Sequence, residues 1–258
     1  MIGAAFLAPV VVLAELLAPP TDASWRLLHG AGWLAAEILA YVAYVRLIER
    51  RRVAELSLDG AGLEWLAGAG LGALLMGLTF AGLLAAGAVH VVGIDRPLAL
   101  VTGLASDLPA SLFEELVFRA LLFKICEERL GTWIALAIQA ALFGALHLFN
   151  PGATLAGAVA VALEAGILLG GAYTLTRRLW LPWGMHFAWN YVQARVISGN
   201  VSGTGESHGL LAVVVDGPAW LTGGSFGAEA SPIAVALCLA LAGLVLRAAW
   251  ARGQLVPR

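Results

Sequence analysis

Apolar runs of roughly 20 residues recur along the whole chain and are separated by short polar segments. A transmembrane helix needs about 20 apolar residues, because it rises about 1.5 Å per residue through a hydrocarbon core about 30 Å thick. The pattern therefore predicts an all-α fold, a polytopic transmembrane helical bundle of about eight spans that forms one membrane domain over residues 1–258. The expected spans cover residues 2–18, 28–48, 63–92, 98–124, 131–149, 153–175, 180–198 and 231–250.

Two of these runs show signs of an interruption. Residues 63–92 exceed the length that a bilayer requires, so this segment is expected to be tilted, kinked or partly outside the membrane. The sequence Ser106-Asp107-Leu108-Pro109 is typical of a helix cap followed by an early proline. It predicts that residues 98–106 form a short separate piece before the fourth span.

Two further stretches are too polar to be spans. Residues 49–62 are charged and form a connector. Residues 199–230 are rich in Gly and Ser and form the longest polar segment. This second segment is expected outside the membrane, with Trp220 and Phe226 tucking it against the bundle.

The composition agrees with a membrane setting. Hydrophobic residues make up 60% of the chain and charged residues only 12%, whereas a soluble domain carries about 25% charged residues. The net charge of −2 lacks the basic excess of a nucleic-acid-binding surface, so membrane lipids are expected partners and nucleic acid is not. Cys126 and Cys238 are far apart and form no CxxC motif, which argues against a disulfide or a cysteine zinc site.

The distribution of Lys and Arg predicts the orientation. If the N-terminus is cytoplasmic, eleven of these residues fall on the cytoplasmic side and three on the other, a strong positive-inside bias. Both termini of this multi-pass protein are therefore expected to face the cytoplasm, in a cell membrane. The eleven are Arg46, Arg50, Arg51, Arg52, Lys124, Arg129, Arg177, Arg178, Arg247, Arg252 and Arg258, and the three are Arg26, Arg96 and Arg195.

The fourth span contains charges that a membrane helix does not carry cheaply. An ionised residue near the bilayer centre costs about 2.5–3.5 kcal/mol on insertion scales, so such residues are functional candidates. Glu115 and Arg119 are four residues apart on one helical face and are expected to pair. Glu114 is rotated by about 100° from Glu115 and is left available for proton transfer.

Two later spans add polar side chains. His147 follows Phe143 by four residues, and Asn190 follows His186 by four, which places the second pair on one face. A lone histidine on an apolar helix is more often a satisfied core residue, but three sets on three helices can converge in a bundle. A carboxylate with a histidine forms a general base for water, and a histidine with an asparagine supplies donors for an oxyanion. Other acids in apolar runs have no such motif and are expected to be helpers or interfacial residues: Glu15, Glu37 and Glu164.

The three sets, in this order, resemble the CPBP family of intramembrane proteases. This family includes Rce1-type CAAX prenyl endopeptidases and Abi proteins linked to bacteriocin processing and immunity, and its motifs are EExxxR, FxxxH and HxxxN. The resemblance runs from about Leu108 to Gln193. It implies a glutamate-dependent endopeptidase that acts on a peptide or membrane protein. The implied roles are activation of water by Glu114 and His147, stabilisation of the oxyanion by His186 and Asn190, and positioning of the catalytic helix by Glu115 with Arg119.

Several alternatives remain open at this stage. Two histidines and a glutamate can in principle ligate zinc, but the chain lacks the HExxH arrangement, so no metal and no cofactor are expected. A non-proteolytic scaffold or immunity-type protein with the same fold is the second hypothesis. A proton-coupled transporter is a weaker third, because no inverted repeat is evident. The expected host is prokaryotic and need not make prenylated substrates, so the CAAX activity itself is not carried over.

Overall fold

The computed structural model describes residues 22–205 and 207–257. Helices dominate this part of the chain and there is almost no sheet, which confirms the all-α class. Five of its helices are long and apolar enough to cross a membrane. The expected first span, residues 2–18, lies outside the described residues, and the number of eight spans stays a prediction.

The described helices and strands follow one another with short connections. We number the α-helices and strands in chain order and give π- and 3₁₀-helical continuations with the helix that they extend. The elements are α1 (Ala23–Tyr44, then π Val45–Glu49), α2 (Ala61–Ala85), β1 (Val89–Ile94), α3 (Ala99–Thr102), α4 (Leu104–Glu115, then π Leu116–Phe123), α5 (Lys124–Leu130), α6 (Thr132–Leu146, then 3₁₀ His147–Phe149), α7 (Leu155–Val161, then π Ala162–Gly166), α8 (Ile167–Thr176), α9 (Trp180–Tyr191, then π Val192–Val196), β2 (Leu211–Val215), α10 (Ala219–Thr222), a 3₁₀ turn (Ala228–Ala230) and α11 (Pro232–Ala251).

Side-chain caps explain where several helices begin. The Asp22 carboxylate accepts hydrogen bonds from the backbone of α1, and the Thr154 hydroxyl accepts one from Gly157 N in α7. Ser231 caps α11 in the same way, and Pro232 follows it at the first helical position. Proline is tolerated there because the first backbone N–H groups of a helix have no partner within the helix.

The long apolar run 63–92 is not one helix. Helix α2 ends at Ala85, and the chain then turns through Gly87, whose φ of 66° favours glycine. The next residues form β1, which pairs antiparallel with β2. The length of the run predicted an interruption but not a strand. The β-branched residues after the glycine turn favour a strand, which pairs with a strand in the polar segment 199–230.

The fourth run is interrupted, as predicted, but at a different residue. The short helix α3 ends at Thr102, and α4 begins directly after Gly103. The prediction that Ser106 and Asp107 cap the helix is wrong, because both lie inside α4 together with Pro109. The Asp107 side chain instead binds Arg195 at the end of α9, which is a long-range contact that no local pattern reports.

Close packing of α2 against α9 sets the position of the motif on α9. Gly68 and Gly72 of α2 and Gly184 of α9 lie so near to backbone atoms of the other helix that a Cβ at any of them would collide. Small residues allow helix backbones to approach in membrane proteins. This contact places the face of α9 that carries His186.

The two ends of the bundle differ in charge. At one end, Arg178 donates to the Asp59 carbonyl of the connector 49–62 and pairs with Glu64, and the neighbouring Arg177 pairs with Glu127. At the other end, β1 and β2 meet after the 25 residues of α2, a distance of about 37 Å along the helix axis. The segment 199–230 therefore lies at the end of the bundle opposite to the basic residues that predict the cytoplasmic side.

A buried aromatic ring anchors the segment 199–230 to the bundle. Phe226 is fully buried in a cluster with Phe118, Phe143 and Val161. Trp220, expected to anchor it as well, is 72% exposed and does not do so. The segment is thus held against the helices that carry the sequence motifs.

Candidate active site

The predicted ion pair in the fourth run is present. Arg119 Nη1 lies 2.8 Å from Glu115 Oε1, and both side chains are 0% exposed. Arg119 also donates to the carbonyl of Ala165 at 2.9 Å, and its guanidinium lies 4.8 Å from the centre of the Phe143 ring. These contacts tie α4 to α6 and to the π turn after α7. The predicted pair therefore links its own helix, α4, to two others, α6 and α7.

His186 lies between the two neighbouring glutamates. Its Nδ1 is 2.8 Å from Glu115 Oε1, and its Nε2 is 3.8 Å from Glu114 Oε2. An ionised carboxylate only accepts hydrogen bonds, so Nδ1 carries a proton and Nε2 faces Glu114. The sequence assigned Glu115 only to Arg119, whereas the structure gives it a second partner on α9.

Glu114 and Glu115 have different environments although they are adjacent. The Glu115 side chain is fully buried, while that of Glu114 is 35% exposed and borders a cavity. Glu114 Oε2 has no hydrogen-bond partner. This matches the prediction that one carboxylate is held in place while the other is left available.

His147 is oriented by the phenylalanine of its own motif. His147 directly follows the last residue of α6 and begins the 3₁₀ turn. Its Nδ1 lies 2.7 Å from the carbonyl oxygen of Phe143. A carbonyl accepts, so Nδ1–H donates and Nε2 is the nitrogen left for other partners. The two rings pack with centroids 4.7 Å apart. The FxxxH spacing thus supplies both the acceptor and the packing surface for the imidazole.

One cavity brings the predicted catalytic residues together. Its volume is about 740 Å³, and its walls include Glu114, His147, His186 and Asn190, with Phe143 between the two histidines. The ring centroids of Phe143 and His186 are 6.2 Å apart. Glu115 and Arg119 stand behind this wall and do not line the cavity. The structure therefore places the three motifs around one space, and their chemical roles remain predictions.

The cavity lies at the end of the bundle that carries the segment 199–230. Ser202 and Thr204 of this segment line it. Asn150, three residues after His147, donates from Nδ2 to the Ser202 carbonyl at 2.7 Å. On the opposite side, Arg195 binds Asp107 with both Nε and Nη2, at 2.9 and 2.7 Å. These contacts form part of the cavity wall near the motif residues.

Two further acids lie in the cavity wall. Glu164, expected to be a helper or an interfacial residue, lies in the π turn after α7 and is 2% exposed. Glu229 lies in the segment 199–230, ahead of α11, and is also 2% exposed. Only the position of Glu164 within an apolar run signalled it, and nothing in the sequence signalled Glu229. Burial raises the pKa of Glu229, while nearby Ser202 and His147 act in the opposite direction.

The other isolated acids do not join this site. Glu37 is buried on α1 but does not line the cavity. Glu15 lies outside the described residues. Across residues 22–205 and 207–257, no three His, Cys, Asp or Glu side chains are grouped as metal ligands would be.

Comparison with known families identifies the part of the chain that carries this site. Residues 96–192, just over a third of the chain, match the family described as Type II CAAX prenyl endopeptidase Rce1-like. The matched segment contains all the motif residues and confirms the predicted family resemblance. The apolar helices and the family match together indicate a multi-pass membrane protein. The family match implies an intramembrane CAAX protease activity in general. Comparison with curated proteins and with solved structures gives no match.

Proposed function

We propose that the protein is an intramembrane endopeptidase that hydrolyses peptide bonds in or near the membrane with an activated water and without a metal. The observation that carries the proposal is the arrangement around His186. Glu115 and Arg119 hold this imidazole from behind, and Glu114 faces it from the cavity at 3.8 Å. A half-buried carboxylate without a hydrogen-bond partner, beside a fixed imidazole, suits proton transfer.

Glu114 acts in this proposal as the general base. It takes a proton from a water molecule in the cavity, and the resulting hydroxide attacks the carbonyl carbon of the scissile bond. His147 presents Nε2 to the same cavity, because its Nδ1 is engaged by Phe143, and supplies the second hydrogen-bond partner that orients the water. The proton held by Glu114 then passes to the departing amine nitrogen, which balances the reaction.

His186 and Asn190 stabilise the oxyanion of the tetrahedral intermediate. Because the Nδ1–H group of His186 is engaged by Glu115, its Nε2 donates only when the ring is an imidazolium. Glu115 supplies a countercharge for that form, and the oxyanion itself becomes the second when Glu114 holds the proton taken from water. Asn190 lies one turn further along α9 and lines the same cavity, where its side-chain amide is a second donor.

Substrates reach the site from the side that carries the segment 199–230. This segment lines the cavity and lies at the opposite end of the bundle from the basic connector. Since the basic end is expected to be cytoplasmic, the proposed site opens toward the other face of the membrane. The substrates that can enter from this face are segments of membrane proteins and exported peptides.

A cleavage assay with purified protein in lipid vesicles tests the proposal. Quenched fluorescent peptides of transmembrane type are the probes, and Glu114→Gln is the decisive variant because it keeps the shape and removes the base. We expect cleavage by the wild type and none above background by Glu114→Gln. The matched control is Glu128→Gln, since Glu128 is 61% exposed and pairs with Lys124 far from the cavity.

Two outcomes contradict the proposal. Peptide binding without cleavage by the wild type favours the scaffold or immunity-type protein. Equal turnover by the wild type and Glu114→Gln removes Glu114 from the chemistry.

A further inference from the structure

Glu164 and Glu229 form a second acidic pair in the cavity. They lie on different elements, the π turn after α7 and the 3₁₀ turn before α11. Both residues line the same cavity, as does His147. The family motifs do not include either residue, so the pair is an additional feature of this cavity.

The fold holds Glu229 in place. Phe226, three residues earlier, is 0% exposed and packs in the cluster with Phe118 and Phe143. Ser231, two residues later, caps α11. Gly157 leaves room for the Phe226 ring, since a Cβ at this position would collide with it. Glu229 is therefore fixed between an aromatic anchor and a helix start.

Neither carboxyl group of the pair has its hydrogen-bonding capacity satisfied. Glu164 Oε2 and Glu229 Oε1 are buried atoms without a hydrogen-bond partner. Ser202 and Trp189 donate hydrogen bonds to the Glu229 carboxyl group, which still has no cationic partner among the described residues. Burying a carboxylate without a partner is costly, and two together are more so, because like charges repel in a medium of low dielectric constant. Such a pair is suited to a positively charged ligand.

The whole cavity has an acidic balance. Among the described residues that line it, the carboxylates are Asp107, Glu114, Glu164 and Glu229, and Arg195 is the single Lys or Arg. Arg195 is already bound to Asp107 by two hydrogen bonds. Three carboxyl groups are thus left without a Lys or Arg partner. Beside the pair lies an apolar wall that includes Leu168, Met185 and Cys238.

We propose that Glu164 and Glu229 form a subsite for a cationic side chain, lysine or arginine, of the peptide substrate. The inference rests on the proposed function and adds a substrate preference to it. The methylene stem lies along the wall that includes Leu168 and Met185, and the ammonium or guanidinium group binds between the two carboxylates. A cavity of about 740 Å³ has room for such a side chain next to the peptide bond held at Glu114. An acidic side chain or a C-terminal carboxylate is disfavoured at the same position.

The test measures binding rather than turnover. Full-length Glu114→Gln protein in lipid vesicles is titrated with transmembrane-type peptides in which one lysine is moved through the central positions. Each lysine peptide is matched with a norleucine peptide, which keeps the methylene stem and lacks the ammonium. We expect the lysine peptide to bind at least about tenfold more tightly at one position, a factor that corresponds to about 1.4 kcal/mol.

Further substitutions assign the preference to the pair. Adding Glu164→Gln or Glu229→Gln to the Glu114→Gln protein should reduce the tenfold preference to about threefold or less. Adding Glu128→Gln, on the far end of the bundle, should leave it unchanged. Equal binding of lysine and norleucine peptides at every position overturns the inference. This comparison uses only the Glu114→Gln protein, so it does not depend on whether the double variants fold. A preference that survives the loss of both Glu164 and Glu229 overturns it as well.

The result is separable from the proposed function. If the wild type cleaves none of the peptides but Glu114→Gln still selects lysine through Glu164 and Glu229, the endopeptidase proposal fails and the cationic subsite stands. If the wild type cleaves lysine and norleucine peptides at equal rates and binds them equally, the endopeptidase proposal stands and the subsite fails.

Discussion

A single oxygen of Glu115 joins Arg119 to His186. Oε1 lies 2.8 Å from Arg119 Nη1 on its own helix and 2.8 Å from His186 Nδ1 on α9. The carboxylate thereby neutralises a buried guanidinium and also holds the Nδ1 edge of the imidazole in place. The first motif thus acts on the third, and the position of His186 depends on a charge pair that no substrate touches.

Removal of this charge pair is expected to lower stability as well as activity. Arg119→Ala leaves the Glu115 carboxylate with His186 as its partner but without a cation, in a site where the Glu115 and Arg119 side chains are 0% exposed. Breaking a buried pair by removing one partner costs about 3–5 kcal/mol. We expect a lower yield of folded protein and a lower melting temperature in detergent for Arg119→Ala and for Glu115→Ala, while Glu128→Ala behaves as the parent. An Arg119→Ala protein that expresses and melts like the parent would show that the pair does not stabilise the fold.

Loss of the oxyanion donors is expected to affect turnover more than binding. Asn190→Ala removes a neutral donor at the cavity wall and leaves the buried charges intact. By analogy with other oxyanion holes, kcat should fall about 10²–10³-fold while KM changes much less. His186→Ala should lower kcat at least as much, and it also removes one of the two partners of Glu115, whose ion pair with Arg119 remains. Steady-state kinetics on one quenched peptide provide the measurement, and an unchanged kcat for Asn190→Ala would remove this residue from the proposed site.

The orientation of the chain is open to direct test. We expect the C-terminus on the cytoplasmic side and the segment 199–230 on the other. Ser225 is an exposed residue of this segment, so Ser225→Cys offers a labelling position once Cys126 and Cys238 have been replaced. An impermeant thiol reagent on intact cells should modify Ser225→Cys and should not reach a cysteine in an added C-terminal tag. Labelling of both positions from one side would contradict the expected topology.

Activity is expected to survive removal of metal ions. The proposed roles of Glu114, His147, His186 and Asn190 are proton transfer and hydrogen bonding, and none of them needs zinc. A strong chelator should leave the cleavage rate of the purified protein unchanged, and metal analysis of the same sample gives the zinc content. Stoichiometric zinc, together with activity that is lost on chelation and restored by zinc, would instead make the glutamate and the two histidines ligands.

The anchor of the segment 199–230 should be needed for a stable site. Phe226→Ala removes a ring that is 0% exposed and packs against Phe118 and Phe143. A large-to-small change of this kind costs about 3–5 kcal/mol in a well-packed core. We expect a lower melting temperature and a weaker preference for cationic peptides, since Glu229 follows the anchor by three residues. Trp220→Ala is the matched control, because Trp220 is 72% exposed and should change neither quantity.

The sequence by itself predicted several features that depend on local spacing, although not the start of α4. Lipid exposure selects apolar residues over about 20 positions, so the helical class and most span positions follow from hydropathy. Side chains four residues apart in a helix share a face, and this predicts the pairing of Glu115 with Arg119. The same spacing lets Phe143 hold His147.

The tertiary structure decided which distant residues meet. Hydropathy measures the preference of a window for lipid and contains no information about strand pairing, so it does not predict that the end of the run 63–92 forms a strand that pairs with β2. For the same reason Glu229, in a polar segment, gave no sign that it would enter the cavity beside His147. Its position follows from the burial of Phe226 and the start of α11, which are set by contacts between segments far apart in the chain. Such contacts form because each apolar or charged group must find a partner in the folded bundle, and that choice depends on the whole arrangement of helices rather than on neighbouring residues.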